Sequence, residues 1–259
     1  MDALIGHTGF VGGTLDRSGW DFGARFNSRN IGEMRGRHFS TIVCAGVSAV
    51  KWKANKEPEA DWAGIQRLVD VLDTVTADRF VLVSTVDIYP NPIGVTEDDS
   101  PPRGTGQPYG RHRLELEHHI AERFPLHHVI RLPALFGQGL KKNAIFDLLT
   151  GNMVDKISPN GVFQWYPMIR FADDVKRVIA AGLPLLNIAV APLRMGDIAE
   201  RLFPGAAIGP ADMPAGRYDM WTRHAAVLGG SGHYHLDAEA GFAAIADYVA
   251  WVRSNGGTP

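Results

Sequence analysis

Three glycines spaced three apart, in Gly6-His7-Thr8-Gly9-Phe10-Val11-Gly12, directly follow the apolar run Ala3-Leu4-Ile5 near the start of the chain. A tight turn between a buried strand and a helix asks for glycine. A Cβ there would block the approach of one backbone to another, or of the backbone to a ligand. Phe10, Val11 and Leu15 give the next segment an apolar face at helical spacing, and Ala24-Arg25-Phe26 supplies a second short strand. A β-turn-α-β start of this kind presents backbone N–H groups and the positive end of a helix to an anion, so a dinucleotide pyrophosphate is the ligand expected. Its expected contacts are Gly6, Thr8, Gly9, Phe10, Val11 and Gly12. The spacing is not the common G-x-G-x-x-G, and taken alone it would read as a plain βα turn. The downstream sequence decides against that.

Short apolar runs at residues 3–5, 24–26, 41–44, 79–84 and 127–132 read as strands. Between them, residues 57–76 carry Ile65, Leu68, Val69 and Leu72 on one helical face, and residues 107–124 carry Leu116, Ile120 and Phe124. Strands alternating with amphipathic helices predict an α/β fold, a doubly wound parallel sheet (Rossmann) with helices on both faces. After Leu132 the rhythm is broken by Gly137, Gly139, Gly151, Pro159 and Gly161, which predicts a small C-terminal substrate lobe built from separate segments. A helix is expected over 171–183, with Asp173 and Asp174 in its first turn, a strand over 185–190 and a short helix over 195–203. A closing helix over 238–253 should turn Phe242, Ile245, Val249 and Trp251 inward. The expected division is a dinucleotide-binding core of residues 1–132 plus 171–190, a lobe of 133–170 plus 191–237, and a C-terminal helix at 238–259.

Composition narrows the class. A chain of 259 residues, 45% apolar, can build a sizeable core, and a net charge of −2 leaves no basic stripe for nucleic acid and no polybasic face for a membrane. No leader-like or membrane-spanning apolar run is visible. The one cysteine, Cys44, lies in the apolar stretch Thr41-Ile42-Val43-Cys44-Ala45, which suits a buried thiol and a cytoplasmic protein. Pairs such as His118-His119, His127-His128 and His233/His235 lack the further ligands of a zinc site, so no metal is expected. Trp52, Trp165 and Trp221 read as packing residues.

Thr85 closes the fourth apolar run, in Val83-Ser84-Thr85-Val86-Asp87-Ile88-Tyr89-Pro90, and Tyr109 follows 24 residues later with Arg113 one helical turn beyond it. A hydroxyl at a strand's carboxyl end faces the crevice where doubly wound sheets bind ligands. A tyrosine and a cation at i and i+4 share a helix face, so the cation can favour tyrosinate. Thr85, Tyr109 and Arg113 thus form a proton-transfer unit suited to a carbonyl or an alcohol. After the second strand, Asn27-Ser28-Arg29-Asn30 has no acidic residue until Glu33. That suits the 2′-phosphate of NADP(H), with Asn27, Ser28 and Arg29 as contacts, better than the ribose hydroxyl of NAD(H), which remains the alternative.

These motifs resemble the short-chain dehydrogenase/reductase superfamily in its extended, nucleotide-sugar-modifying branch. Gly6, Gly9 and Gly12 match the glycine motif, and Ala45-Gly46 the segment after the central strand. Residues 84–90 match the Ser-Ser-x-x-Val-Tyr-Gly element. Arg131-Leu132-Pro133-Ala134-Leu135-Phe136-Gly137 is similar to Arg-x-x-Asn-Val-Tyr-Gly, and Phe171-Ala172-Asp173-Asp174 to a Val-Asp-Asp helix start.

The resemblance implies that Tyr109 is the general acid/base, that Thr85 hydrogen-bonds the same substrate oxygen, and that hydride passes to or from a nicotinamide. It further implies cofactor contacts at Ala45, Gly46, Ser84, Tyr109, Arg113, Leu132 and Pro133, and a homodimer through the helices at 57–76 and 107–124. Arg113 stands where the family has lysine; it keeps the charge but relays no proton. Asp87 occupies a position that faces the sugar in related enzymes, and is a candidate second acid/base. The histidine that sugar epimerase-reductases carry just after the Val-Phe-Gly element is missing, which disfavours a two-proton epimerisation. Lys141, Lys142 and Asn143 are candidate contacts for a substrate diphosphate. The leading expectation is an NAD(P)(H)-dependent oxidoreductase acting on a nucleotide-linked keto sugar. The alternatives are an epimerase or dehydratase with a recycled cofactor and Asp87 as second acid/base, and a catalytically weak dinucleotide-binding protein.

Overall fold

Each short apolar run forms a strand in the computed structural model, which describes residues 1–256 and 259. In chain order the elements begin β1 (Asp2–Ile5), α1 (Phe10–Asp16), β2 (Phe22–Phe26), β3 (His38–Cys44), α2 (Lys51–Lys56) and α3 (Pro58–Leu72). They continue with β4 (Thr76–Thr85), α4 (Pro108–Arg123), β5 (His127–Leu132), β6 (Ala134–Phe136), α5 (Ala144–Thr150) and β7 (Val162–Phe163). The last are β8 (Trp165–Pro167), α6 (Phe171–Ala180), β9 (Leu185–Asn187), β10 (Leu193–Arg194), α7 (Met195–Leu202) and α8 (Ala238–Ser254). Among the described residues no helix is long and apolar enough to cross a membrane.

Two compact units result. The first comprises Met1–Asn91, Asp98–Arg131 and Ala172–Leu186 and holds the central sheet, ordered β2-β1-β3-β4-β5-β9. The pairs β1–β2, β1–β3 and β3–β4 run parallel. The strands are apolar without alternation because both faces are covered: Ala3, Leu4, Ile42, Val43, Cys44, Phe80 and Val81 have no exposed surface. Strand order reverses at β1, with β2 on one side and β3 on the other. The carboxyl ends of β1 and β3 therefore flank the crevice in which open parallel sheets bind their ligands. Both glycine-bearing segments, Gly6 to Gly12 and Ala45-Gly46, start there.

The second unit comprises Pro92–Glu97, Leu132–Phe171 and Asn187–Pro259. It contains two small sheets, β6 with β8 and β7 with β10, plus α5, α7 and α8. Its irregular strands are joined by buried side chains instead of long ladders. The Gln164 amide, 1% exposed, donates to the carbonyls of Val190 (2.7 Å) and Met220 (2.8 Å) and accepts from the Met220 N–H (2.7 Å). Glu97 accepts from the Asn187 N–H (2.8 Å), the Thr222 hydroxyl (2.5 Å) and the Arg223 N–H (2.9 Å). The Gln164 bonds satisfy backbone groups that would otherwise be costly to bury.

Several boundaries differ from the sequence expectation. The helix expected to reach residue 76 ends at Leu72, because Thr76 already pairs with His38 in the sheet. The helix expected over 171–183 ends at Ala180, where Gly182 (φ 63°) turns the chain into the left-handed region. The strand expected over 185–190 stops at Asn187. In α8 the core position belongs to Val252, 1% exposed, whereas Trp251 is 38% exposed and stacks on Tyr248. The one-turn helix α2 carried no periodic signal.

Candidate active site

The three glycines of the first turn do different work. Gly6 has φ 90° and donates to the Phe26 carbonyl at 2.7 Å, and a Cβ on it would lie 2.4 Å from the Ala45 carbonyl oxygen. A Cβ on Gly12 would lie 2.1 Å from the Gly6 oxygen. Both glycines therefore let backbone pack on backbone. Gly9 differs, since its Cβ would meet only the Gly6 oxygen, at 3.3 Å. It is exposed at the N-cap of α1, and no side chain caps that helix end. Gly46 packs against Ile5, with a Cβ there only 2.7 Å from Cγ2. Thr8 is exposed, and Phe10 and Val11 are half-buried. At the end of β2 the Asn30 side chain accepts from the Asn27 N–H (2.7 Å), and Asn27 accepts from the Arg29 N–H (2.9 Å). This small turn leaves Ser28 and Arg29 exposed.

Thr85 and Asp87 meet Tyr109 at the carboxyl end of β4. The Thr85 hydroxyl accepts from the Asp87 N–H at 3.2 Å, capping the 3-10 turn Val86–Ile88, and it is one of the groups that act on the Tyr109 phenol. Gly110 makes the approach possible, because a Cβ there would sit 1.7 Å from the Asp87 carbonyl oxygen. The Tyr109 N–H donates to Asn55 Oδ1 at 2.9 Å, which docks the start of α4 on α2. Tyr109 is 8% exposed. Burial pushes its phenol above the ordinary value, and the Asp87 charge adds to that; Arg113, the Thr85 hydrogen bond and Lys51 pull the other way without prevailing.

Arg113 is placed differently from a cation aimed at the phenolic oxygen. Its guanidinium lies over the Tyr109 ring, 3.9 Å from the centroid. Nη1 donates to Asp61 Oδ2 (2.5 Å) and to the Tyr109 carbonyl (3.0 Å), and Nη2 to Asp61 Oδ1 (2.9 Å) and to the Ser48 carbonyl (2.6 Å). Both terminal nitrogens are thereby fully used. His112 Nδ1 adds a third contact to Asp61, at 2.8 Å. Burial alone would push the Asp61 carboxyl up, but the hydrogen bonds and charges of Arg113 and His112 hold it below the usual carboxylate value.

The structure adds a residue that sequence reasoning missed. Lys51, at the start of α2, places Nζ 2.7 Å from Asp87 Oδ1. No motif marks it, and the only signal in the sequence is a cation shortly after the Ala45-Gly46 segment. A second unmarked group lies beneath the cluster: Arg131, 5% exposed, pairs with Glu117 (2.7 Å from Nη2 to Oε2) and donates to the Tyr89 hydroxyl at 2.6 Å. The Ser84 hydroxyl donates to the same Glu117, so Ser84 is turned into this buried network. Glu117 stands two helical turns beyond Tyr109, and the network fixes α4 against β4 and β5.

In the second unit, Leu132 and Pro133 are buried and Lys141 and Lys142 exposed. Asn143 (φ 136°) caps α5, accepting from the Phe146 N–H at 3.0 Å and donating to the Leu135 carbonyl at 2.8 Å. Its amide is occupied at both ends. His233 stacks on Trp221 at 4.0 Å, and His235 is buried between the carbonyls of Ala225 and Asn187. Trp165 is buried, and Trp52 is 67% exposed.

Residues 37–157 match the model of the NAD dependent epimerase/dehydratase family. Over that stretch, a little under half of the chain, the sequence is similar to the family. No curated protein sequence matches the chain. Among solved structures it is similar to a dTDP-4-dehydrorhamnose reductase from Clostridium acetobutylicum, with a TM-score of 0.72 and 15% identity over 98% of this chain and 100% of the other. A dTDP-glucose 4,6-dehydratase from Streptomyces venezuelae, solved as a double mutant with NAD bound, gives 0.72 at 17% identity over 99% and 98%. The UDP-glucose 4-epimerase of Thermotoga maritima gives 0.67 at 16% over 98% and 99%. These solved structures share the fold of this chain, and their own names span reduction, dehydration and epimerisation.

Proposed function

We propose that this chain is an NAD(P)(H)-dependent oxidoreductase that moves a hydride to or from a keto sugar carried on a nucleotide, with Tyr109 as general acid/base. The observation that carries the proposal is the placement of Tyr109 beside Thr85 and Asp87 at the carboxyl end of β4, in the sheet whose strand order reverses at β1. The turn suits a dinucleotide: Gly9 is exposed, a Cβ on it would meet only the Gly6 oxygen, and α1 starts without a side-chain cap. Gly6, Thr8, Gly9, Phe10, Val11, Gly12, Ala45 and Gly46 would hold the pyrophosphate region, and Asn27, Ser28 and Arg29 the adenosine end. A bound nicotinamide supplies or accepts the hydride. Thr85 orients the substrate oxygen, and Tyr109, kept protonated by burial, gives that oxygen its proton in the reducing direction. Exposed Lys141 and Lys142 are suited by charge to a substrate diphosphate, while Asn143 holds the turn that carries them.

Replacing Tyr109 by Phe should lower turnover by about a hundredfold or more with dTDP-4-dehydrorhamnose and NADPH as probes. Retained turnover overturns the assignment. The exposed Ser28-Arg29 pair and the lack of an early acidic residue favour NADP(H). Fluorescence titration should therefore give tighter binding of NADPH than of NADH, and equal or reversed affinities reject the preference. A second reading, a recycled cofactor with Asp87 as additional acid/base, is favoured by one observation: the Asp87 carboxylate sits in the same charge cluster as the Tyr109 phenol. Native mass spectrometry of protein purified without added cofactor separates the two, because a recycling enzyme retains its nucleotide. The same spectrum tests the homodimer that we place on α3 and α4.

A further inference from the structure

Two cations stand at the Tyr109 cluster, and they are held in opposite ways. Arg113 is 4% exposed, is paired through both terminal nitrogens with Asp61, and presents its plane to the ring and not to the hydroxyl. A planar guanidinium held this way is not a proton relay, although its charge still acts on the phenol. The Lys51 side chain is 43% exposed, reaches water, and bears an ammonium that can give up a proton and regain it. Three contacts from different elements fix Lys51 relative to Tyr109. Asn55, one turn along α2 on the same face, accepts the Tyr109 N–H; Gly110 presses on the Asp87 carbonyl; and Lys51 Nζ bonds the Asp87 carboxylate.

We infer that Lys51, paired with Asp87, tunes Tyr109 alongside Arg113 and returns its proton, while Arg113 also fixes the position of the ring. The inference rests on the reading of Tyr109 as acid/base. In the reducing direction the Oη–H bond of Tyr109 breaks and its proton goes to the substrate oxygen as the carbonyl carbon receives hydride from NAD(P)H. Lys51 Nζ then protonates the phenolate, and water restores the ammonium. In the oxidising direction each transfer runs backwards. Lys51 acts through Tyr109, so it is a positioning and relay residue and not one that touches the reacting atoms.

The groups facing Tyr109 are Arg113 on its own helix, Thr85 and Asp87 after β4, and Lys51 on α2. Removing Lys51 deletes a cation and leaves Asp87 without that partner, and both changes disfavour phenolate. The test is a titration of protein labelled with 13Cζ-tyrosine between pH 8 and 11.5, with the Tyr109 signal identified by its loss in Y109F. K51M should shift the Tyr109 midpoint upward by about one unit, a tenfold smaller phenolate fraction at a given pH. D87N should shift it downward, and the double variant should lie near the wild type. K51R, which keeps the charge but relays no proton, should titrate like the wild type yet turn over dTDP-4-dehydrorhamnose about tenfold more slowly with NADPH.

A K51M midpoint within about 0.2 units of wild type overturns the tuning role. Wild-type turnover by K51R overturns the relay. Should Y109F itself retain turnover, the acid/base reading fails, while the titration still decides whether Lys51 governs the Tyr109 phenol.

Discussion

Asp61 is the residue on which the Tyr109 helix depends most directly. Its carboxylate, 7% exposed, takes both terminal nitrogens of Arg113 and one from His112, and so joins α3 to the first turns of α4. Its folded pKa lies below its unfolded value of about 3.9, so its contribution to stability is present above that pH and is lost as pH falls through the folded value. Urea denaturation should show the wild type losing stability as the pH falls below about 4. Asp61→Asn should be less stable at pH 7 by about 3–5 kcal/mol, because Arg113 is left buried without its counter-charge, and its acid dependence should be shallower. A variant with wild-type stability at pH 7 would show that the pair contributes nothing net. None of this could be read from the sequence, where Asp61 is one of several acidic residues on a helix and Arg113 lies 52 positions away.

At the scale of elements, the βα turn makes a sharper demand than its spacing suggests. Gly6 and Gly12 have no room for a methyl group, whereas a methyl on exposed Gly9 would meet only the Gly6 oxygen, at 3.3 Å, a contact that a shift of a few tenths of an ångström relieves. Gly12→Ala should therefore fail to fold or melt well below the wild type, since the clash is with backbone that cannot turn aside. Gly9→Ala should fold normally by circular dichroism and bind NADPH at least about tenfold more weakly, because the added methyl narrows the space above the helix end. Normal NADPH affinity in Gly9→Ala would remove the turn from the binding site. The strands were legible because a parallel strand covered on both faces is a plain apolar run. The end of β9, the end of α6 and the one-turn helix α2 were not, because a sheet neighbour or a single left-handed glycine sets such boundaries.

For the molecule as a whole, Cys44 offers a single probe of the central sheet. It has no exposed surface, and burial pushes its thiol up to about 11. Ellman's reagent should leave it unmodified in native buffer at pH 8 and should modify it completely in denaturant. Because it is the chain's one cysteine, the labelling rate reports the opening of the sheet without interference from the second unit. Rapid modification of the native protein would mean that β3 opens far more readily than its packing suggests.

By itself the sequence determined the βα turn, the apolar strands and a tyrosine one turn before a cation at a helix start. Each of those signals is complete within a few neighbouring residues, where chain geometry and local burial settle the conformation. Only the tertiary structure decided what each of the cations near Tyr109 is paired with. Arg113 is adjacent in sequence, but Asp61 and Ser48 occupy it. Lys51 is brought in from α2 through Asn55 and Asp87, residues 54 positions from Tyr109 in one contact and 36 from Lys51 in the other. The reason is physical: a charge acts through what neutralises it and what it faces, and long-range packing sets both.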